Sequence, residues 1–309
     1  MRVLNLITDP NVPPYKQQVE TLRRQGVEET TLGVPGDRWS DDGESSSRSV
    51  LDYVRFYPTV LRHSFGDYDL VHASYGLTAP AALAQPNLPV VVSLWGSDLF
   101  GRFGRLSQVC ARLADAVIVM SPRMADALHV DCHVIPHGVD LELFGPMPRA
   151  EAREAIDWPV VGKRVLFPYP VERPEKDYPR AQRVVEAAEE RLDEAVTLHA
   201  LELTPHERMP LYMNASDAML LTSQWEGSPN TVKEAMACNL PVVSTDVGDV
   251  RERLSGVDPS AVGRTDEELV AGLVDVLSRG EPSNGRRAIE PLGLEQMGRR
   301  IRVVYESVR

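Results

Sequence analysis

Short apolar runs alternate along the whole chain with stretches whose apolar positions recur at helical spacing. Val3–Ile7, Thr30–Val34, Leu70–Ala73, Val90–Leu94, Ala116–Met120 and His133–Ile135 read as buried strands. Tyr15–Gln25 and Val50–Phe65 read as helices between them. Phe144-Gly145-Pro146-Met147-Pro148 breaks the alternation and reads as a linker. A second series opens at Arg164 and runs on through Tyr169, Val196–Leu201, Ala218–Thr222 and Pro241–Ser244. Helices are expected at Arg264–Ser278 and Leu294–Val308. Strands alternating with helices predict the α/β class with parallel sheets. A length of 309 residues predicts two domains rather than one core.

Ligands of open parallel sheets bind outside the carboxyl ends of the strands. Four polar or glycine-rich clusters fall there: Gly96-Ser97-Asp98, Arg173 with Lys176, Glu226, and Asp246–Asp249. The densest lies between Asp217 and Asp249. A strand-forming run stops at Gln224-Trp225-Glu226-Gly227-Ser228-Pro229-Asn230 and a helix follows. Pro229 suits the first helical position, where its missing N–H costs nothing. Val232, Ala235 and Met236 mark the buried face, with Asn230, Glu234 and Ala237 on another. The free amides of the first turn attract anionic oxygens. Two carboxylates around an amide nest suit a phosphorylated, polyhydroxylated ligand.

Composition narrows the classes. The hydrophobic fraction is 43% and the charged fraction 25%, as in globular proteins. A net charge of −12 disfavours nucleic acid as a partner, so cations for an anionic ligand must be local. Of four lysines, Lys176 and Lys233 fall in candidate site loops. Cys110, Cys132 and Cys238 are spaced neither for zinc nor for disulfides. The opening MRVLNLITDP reads as a strand rather than a signal peptide, which points to the cytoplasm.

The stretch from Glu226 through Gly227, Pro229 and Asn230 to Glu234, then Ala235-Met236-Ala237 and a Pro-Val-Val strand, resembles the nucleotide-sugar site of retaining family 4 glycosyltransferases. That resemblance implies the GT-B fold of two facing Rossmann-like domains with a cleft between them. Its domains would be an acceptor domain at 1–147, a nucleotide-sugar domain at 148–292 and a helix at 293–309 crossing back to the first. It also implies that Glu226, Gly227, Ser228, Pro229 and Asn230 meet donor sugar and phosphates, and that Glu234 binds ribose. Lys176 fits the family's diphosphate-binding lysine. The family's arginine aligns with Val171, and Arg173 stands two residues later. Gly96-Ser97-Asp98 resembles the family's His-Gly-Ser-Asp loop, with Trp95 for histidine. His72 resembles the first histidine of His-Ala-His-x-Gly, and Ile135-Pro136-His137-Gly138-Val139-Asp140 carries His137 for asparagine. Gly96, Ser97, Asp98 and His72 are therefore the expected acceptor-side residues, Asp98 alternatively being a helix cap and His72 a hydrogen-bonded core histidine. The amino-terminal loop, with prolines instead of a glycine pair, departs most.

Asp67-Tyr68-Asp69 has the spacing of a metal-binding motif but precedes its strand, at the wrong edge. His206-Glu207 lacks a second histidine for zinc. Leu99–Leu113 carries Arg102, Arg105 and Arg112 with no acid, and leaves two readings open. Either the segment rests on an anionic membrane surface, or Phe100, Phe103, Leu106 and Val109 are core, which the spacing favours. The expected activity is sugar transfer from a nucleotide-diphosphate sugar to an unknown acceptor, with retention and without cofactor or metal. A sugar-nucleotide epimerase or a nucleotide-binding partner subunit are the alternatives.

Overall fold

The computed structural model describes residues 1–36, 48–202 and 204–309. The chain forms two compact units, Met1–Gly138 with Leu294–Arg309, and Val139–Gly293. The Phe144–Pro148 stretch lies inside the second unit, and Phe144 is fully buried in its core.

The first unit follows the order β1 (Arg2–Ile7), α1 (Pro13–Arg24), β2 (Glu28–Gly33), α2 (Val50–His63), β3 (Leu70–Ala73), α3 (Ala79–Ala84), β4 (Val90–Leu94), α4 (Ser97–Phe100), α5 (Gly104–Leu113), β5 (Ala116–Val119), α6 (Pro122–Leu128) and β6 (His133–Val134). Its strands pair in parallel in the order β2-β1-β3-β4-β5-β6. The central strands β3, β4 and β5 are buried along their whole length, which explains their unbroken apolar sequence.

The second unit follows the order α7 (Arg149–Glu154), β7 (Lys163–Phe167), α8 (Tyr178–Leu192), β8 (Val196–Ala200), α9 (Met209–Ala215), β9 (Ala218–Leu221), α10 (Asn230–Ala237), β10 (Val242–Thr245), α11 (Val250–Arg253), β11 (Ala261–Gly263), α12 (Asp266–Arg279) and α13 (Gly285–Ile289). Its parallel sheet runs β11-β10-β9-β7-β8. The last helix, α14 (Leu294–Val308), packs on α1 in the first unit. Gly298 permits that approach, since a Cβ there would stand 2.8 Å from Thr21.

Both sheets are wound alike. The second strand of each lies on one side of the first, and the third on the other. The order therefore reverses between β1 and β3, and again between β7 and β9. A crevice opens at the carboxyl end of such a reversal, because the connections on its two sides diverge.

Candidate functional site

At the β7/β9 reversal the two flanking loops supply a charged pair. After β7 the chain passes Tyr169 and turns through Arg173 to Lys176. After β9 it passes Thr222 and Ser223 to Glu226. Lys176 Nζ donates to Glu226 Oε1 at 2.5 Å. The two side chains are only 6% and 13% exposed. Ser223 Oγ donates to the same carboxylate oxygen at 2.8 Å. Burial pushes the Lys176 ammonium below its ordinary value, and Glu226 beside it pulls it partly back.

Backbone bonds fix the two loops in register. Thr222 Oγ1 donates to the carbonyls of Lys176 and Asp177, at 2.9 and 3.0 Å. Gln224 N donates to Glu175 O at 2.9 Å. Thr245 Oγ1, at the end of β10, donates to Ser223 O at 2.8 Å. Gly248 then closes the third side. With φ +55° it sits in the left-handed region, and a Cβ there would lie 2.6 Å from Gly227 O. Ser228 Oγ donates to buried Asp249 at 2.9 Å, and Arg253 Nε holds the same oxygen at 2.8 Å. The Glu226–Ser228 turn is thus clamped by the loops after β7 and β10.

Tyr169, which no sequence motif singled out, organises the cations. Its ring lies 3.9 Å from Lys176 Nζ and 5.6 Å from the Arg173 guanidinium carbon. Its hydroxyl and Thr231 Oγ1 share a hydrogen bond of 2.7 Å, which ties this platform to the first turn of α10. Arg173 is half exposed and also donates to Glu175 at 2.8 Å.

α10 starts one residue later than expected. Pro229 is its N-cap, with φ −67° and ψ 120°, and Asn230 is the first helical residue. Pro229 makes no side-chain cap, so the first-turn amides are left without one. Asn230 Oδ1 is buried there without a hydrogen-bond partner among the described residues. Val232, Ala235 and Met236 are core, but the burial does not stop at one face. Lys233 is 1% exposed inside the helix rather than in a loop, and burial pushes its ammonium down to about 8, with Asp249 opposing. Glu234 is 8% exposed and pairs with His206 Nε2 at 2.9 Å. That hydrogen bond raises the His206 pKa. His206, set aside as a zinc motif, is thus the positioning partner of Glu234; its ring packs edge-on against Phe144.

The acceptor-side candidates of the first unit behave differently. His72 is a correction: it lies within β3, fully buried, with Nδ1 2.7 Å from Tyr305 Oη and Nε2 2.7 Å from Ser93 Oγ. Both ring nitrogens are used, and burial alone drives its pKa down to about 3. Asp98 is also buried and braces two loops, accepting from the amides of Trp95, Gly96 and Gly76 at 2.9, 2.9 and 2.8 Å. Gly96, at φ +120°, makes that turn. Ser97 is exposed and bonds the Tyr75 hydroxyl at 2.8 Å. Trp95 and His137, the two departures from the family pattern in this region, touch edge-to-face with ring centroids 4.4 Å apart. Each departure is the other's packing partner. Asp67 and Asp69 are taken up by Arg2 at the amino end of β1 and β3, opposite to the carboxyl edge of their own sheet.

Two parallel-sheet α/β units, each wound about a strand reversal, define the GT-B fold of glycosyltransferases. Residues 16–143 match the model for glycosyltransferase family 4, and residues 175–279 match that for glycosyl transferases group 1. The chain belongs to the group 1 glycosyltransferases of the family 4 type. It is 29% identical over 242 residues to the lipopolysaccharide core biosynthesis mannosyltransferase LpsB of Rhizobium meliloti, covering 65% of this chain and 68% of that one. Identity to the putative teichuronic acid biosynthesis glycosyltransferase TuaC of Bacillus subtilis is 26%, over 70% of this chain and 61% of the relative. Among solved structures, sucrose-phosphate synthase of Thermosynechococcus elongatus superposes with a TM-score of 0.76 at 18% identity, covering 99% of this chain and 98% of that one. Anabaena HepE in complex with UDP gives 0.72 at 16% identity, covering 99% and 100%. Among the described residues no helix is long and apolar enough to cross a membrane.

Proposed function

We propose that the chain transfers a sugar from a nucleotide-diphosphate donor to an acceptor hydroxyl, with retention of configuration and without a divalent cation. The buried Lys176–Glu226 pair at the β7/β9 reversal carries this reading. An ammonium has three N–H donors. Glu226 takes one, and the others serve diphosphate oxygens as negative charge builds on the leaving group. Arg173, also against the Tyr169 ring, adds a second cation, and the Gly227–Asn230 amides supply neutral donors. Two cations perform the charge stabilisation a metal otherwise would.

Glu226, fixed by Lys176 and Ser223, orients the donor sugar, and Glu234, aimed by His206, receives ribose hydroxyls. Because Glu226 is committed to Lys176, a front-face course is favoured over covalent displacement. The departing phosphate oxygen takes the acceptor proton as the new glycosidic bond forms. HepE, solved with UDP and with UDP-glucose, supports a nucleotide-sugar donor, and the two named relatives support a glycan acceptor. A cytoplasmic setting with peripheral membrane contact belongs to the same reading.

The test is a thermal-shift screen of UDP, GDP and ADP sugars, followed by a transfer assay in EDTA. A donor at ~100 times its dissociation constant adds ~2.7 kcal/mol of stability. Stabilisation by one donor and full turnover in EDTA are expected. Loss of turnover in EDTA, restored by magnesium or manganese, contradicts metal independence. Conversion of the donor without any acceptor product would favour an epimerase.

A further inference from the structure

The second unit has another recess, on the edge of its sheet opposite to the Lys176–Glu226 pair. Ser216 and Asp217 precede β9, and Leu240 and Pro241 precede β10, so the amino ends of two neighbouring strands meet there. A cavity of about 250 Å³ opens between them, with Met147, Met213, Cys238, Leu240, Pro241 and Pro282 in its lining. Burial pushes the Cys238 thiol up to about 12, so this part of the lining is uncharged at neutral pH.

The polar groups around the cavity are committed, with one exception. Asn214 Nδ2 donates to Gly145 O and Pro210 O at 3.0 and 2.8 Å, and its Oδ1 accepts from Met147 N at 2.8 Å. Ser216 Oγ donates to Tyr212 O at 2.8 Å, and Asn239 Oδ1 accepts from Arg286 N at 2.9 Å. The exception is Arg149, the one charged residue of the lining. Among the described residues its ion-pair partner is Asp217, met through Nη1 at 2.6 Å. A guanidinium has five N–H donors, and one carboxylate oxygen leaves most of them for another acceptor.

Charge and size define what fits. Asp217 is shared: Arg153 holds its other oxygen at 2.8 Å, and Arg164 N donates to that oxygen at 2.7 Å. Two guanidiniums on one carboxylate leave a local positive excess, in a chain of net charge −12. Burial first, and then the neighbouring Arg149 and Arg164, hold the Arg153 pKa down against the pull of Asp217. α9 and α10 both end at the cavity, and the carbonyl ends of helices oppose a doubly charged anion. A single carboxylate suits the planar fork of Arg149, and an apolar body suits the rest of the lining. The volume is that of about eight waters, room for an acid the size of benzoate.

We propose that this cavity binds a small monocarboxylate with an apolar body, and that its occupancy is felt along α10. Cys238 and Asn239 close that helix at the cavity, while Asn230 opens it about 12 Å away. Arg286 already grips the cavity end, donating to Ala237 O at 2.9 Å. A ligand against Cys238 adds a second hold. The proposal needs nothing from the nucleotide-sugar reading.

The experiment is a thermal melt of the full chain with benzoate or hexanoate, against benzamide and against sodium chloride at equal ionic strength. The two acids should raise the melting temperature saturably, and the two controls should not. Arg149→Gln should weaken acid binding about ten-fold or more, the worth of a charge-assisted hydrogen bond. That variant should stay folded, because Arg153 still holds Asp217. Met147→Trp, at a rim residue that is 41% exposed, fills the mouth and should abolish binding with Arg149 intact. Hydrogen exchange in Thr231–Ala237 should slow when benzoate binds the wild type. The proposal is overturned if neither acid shifts the wild type beyond benzamide and salt, or if either variant binds as the wild type does. It is equally overturned if bound acid leaves exchange in α10 unmoved.

Discussion

Two strand reversals, at β1/β3 and at β7/β9, are wound alike and carry opposite chemistry. At the first, Asn5, His72, Ser74, Ser93 and Tyr305 form a buried network, with bonds of 2.7 Å from His72 to Tyr305 and Ser93 and from Ser74 to Asn5, which in turn donates to Glu29, a carboxyl that burial pushes up to about 8. All five are buried, and His72, its pKa near 3, stays uncharged at neutral pH. At the second, a lysine and a glutamate meet beside two exposed loops, and the nearby Asn230 Oδ1 is left without a partner among the described residues. A polar network that satisfies itself inside a strand layer stabilises a fold. One that lies beyond the strand ends and keeps donors in reserve binds something. Topology makes both crevices available, and side-chain chemistry distinguishes them.

The contrast can be broken at several points. Lys176→Ala has the largest expected effect. A charge-assisted hydrogen bond is worth roughly 1.5–3 kcal/mol, so turnover should fall about 10- to 150-fold. Donor affinity should fall less, because the ammonium acts most as the diphosphate leaves. Steady-state kinetics beside calorimetric donor binding separates the two; unchanged turnover would remove the residue from the mechanism. Gly248→Ala comes next. Its added Cβ meets Gly227 O at 2.6 Å, whereas Gly256→Ala, at φ +77°, meets nothing within 4 Å. Backbone strain alone costs about 1–3 kcal/mol at either site, so chemical denaturation should register both. Donor affinity should fall only for Gly248→Ala, and equal affinities in the two variants would show that the clamp on Gly227 is irrelevant.

The first reversal should respond in stability and not in catalysis. The folded pKa of His72 lies below the ordinary 6.5, so the unfolded chain binds the proton first. The stability contributed by neutral His72 is complete above 6.5 and is lost as pH falls from there toward about 3. His72→Gln should flatten that part of the stability–pH profile and leave turnover at neutral pH within about two-fold, after a loss of about 1–3 kcal/mol for the disturbed bonds. A ten-fold change in turnover with stability intact would put His72 back at the site. Arg173→Ala should have the smallest effect on the fold, since its partner Glu175 is two residues away and the pair is half exposed. A rate loss smaller than that of Lys176→Ala is expected; none at all would make Arg173 a surface residue.

How much of this was legible in the chain depended on distance along it. Glu226 to Glu234 is a local string, and its amide-rich turn could be read because every part lies within two turns of its neighbours. The strand-end rule located Lys176 and the Asp246–Asp249 loop for the same reason. Tyr169 was not legible, because its role exists only where two later cations fold back over its ring. His206 reaches Glu234 across 28 residues, with no spacing rule to connect them. The face of α5 failed for another reason. Periodicity tells which residues share a face, but here the small Gly104, Ser107, Cys110 and Ala111 are turned inward, and Phe100, Phe103, Leu106 and Val109, read as core, are exposed. Lys233 was read into a loop, and Glu234 onto a second face, because amphipathicity was assumed for α10, a helix enclosed on nearly all sides.

The central claim is that the β7/β9 reversal binds a diphosphate through Lys176. Calorimetric titration of a nucleoside diphosphate and the matching monophosphate, into wild type and Lys176→Ala, tests it most directly. The wild type should bind the diphosphate more tightly by about ten-fold or more, the equivalent of one charge-assisted hydrogen bond, and that margin should collapse in the variant. A margin that survives the loss of Lys176 would contradict the claim.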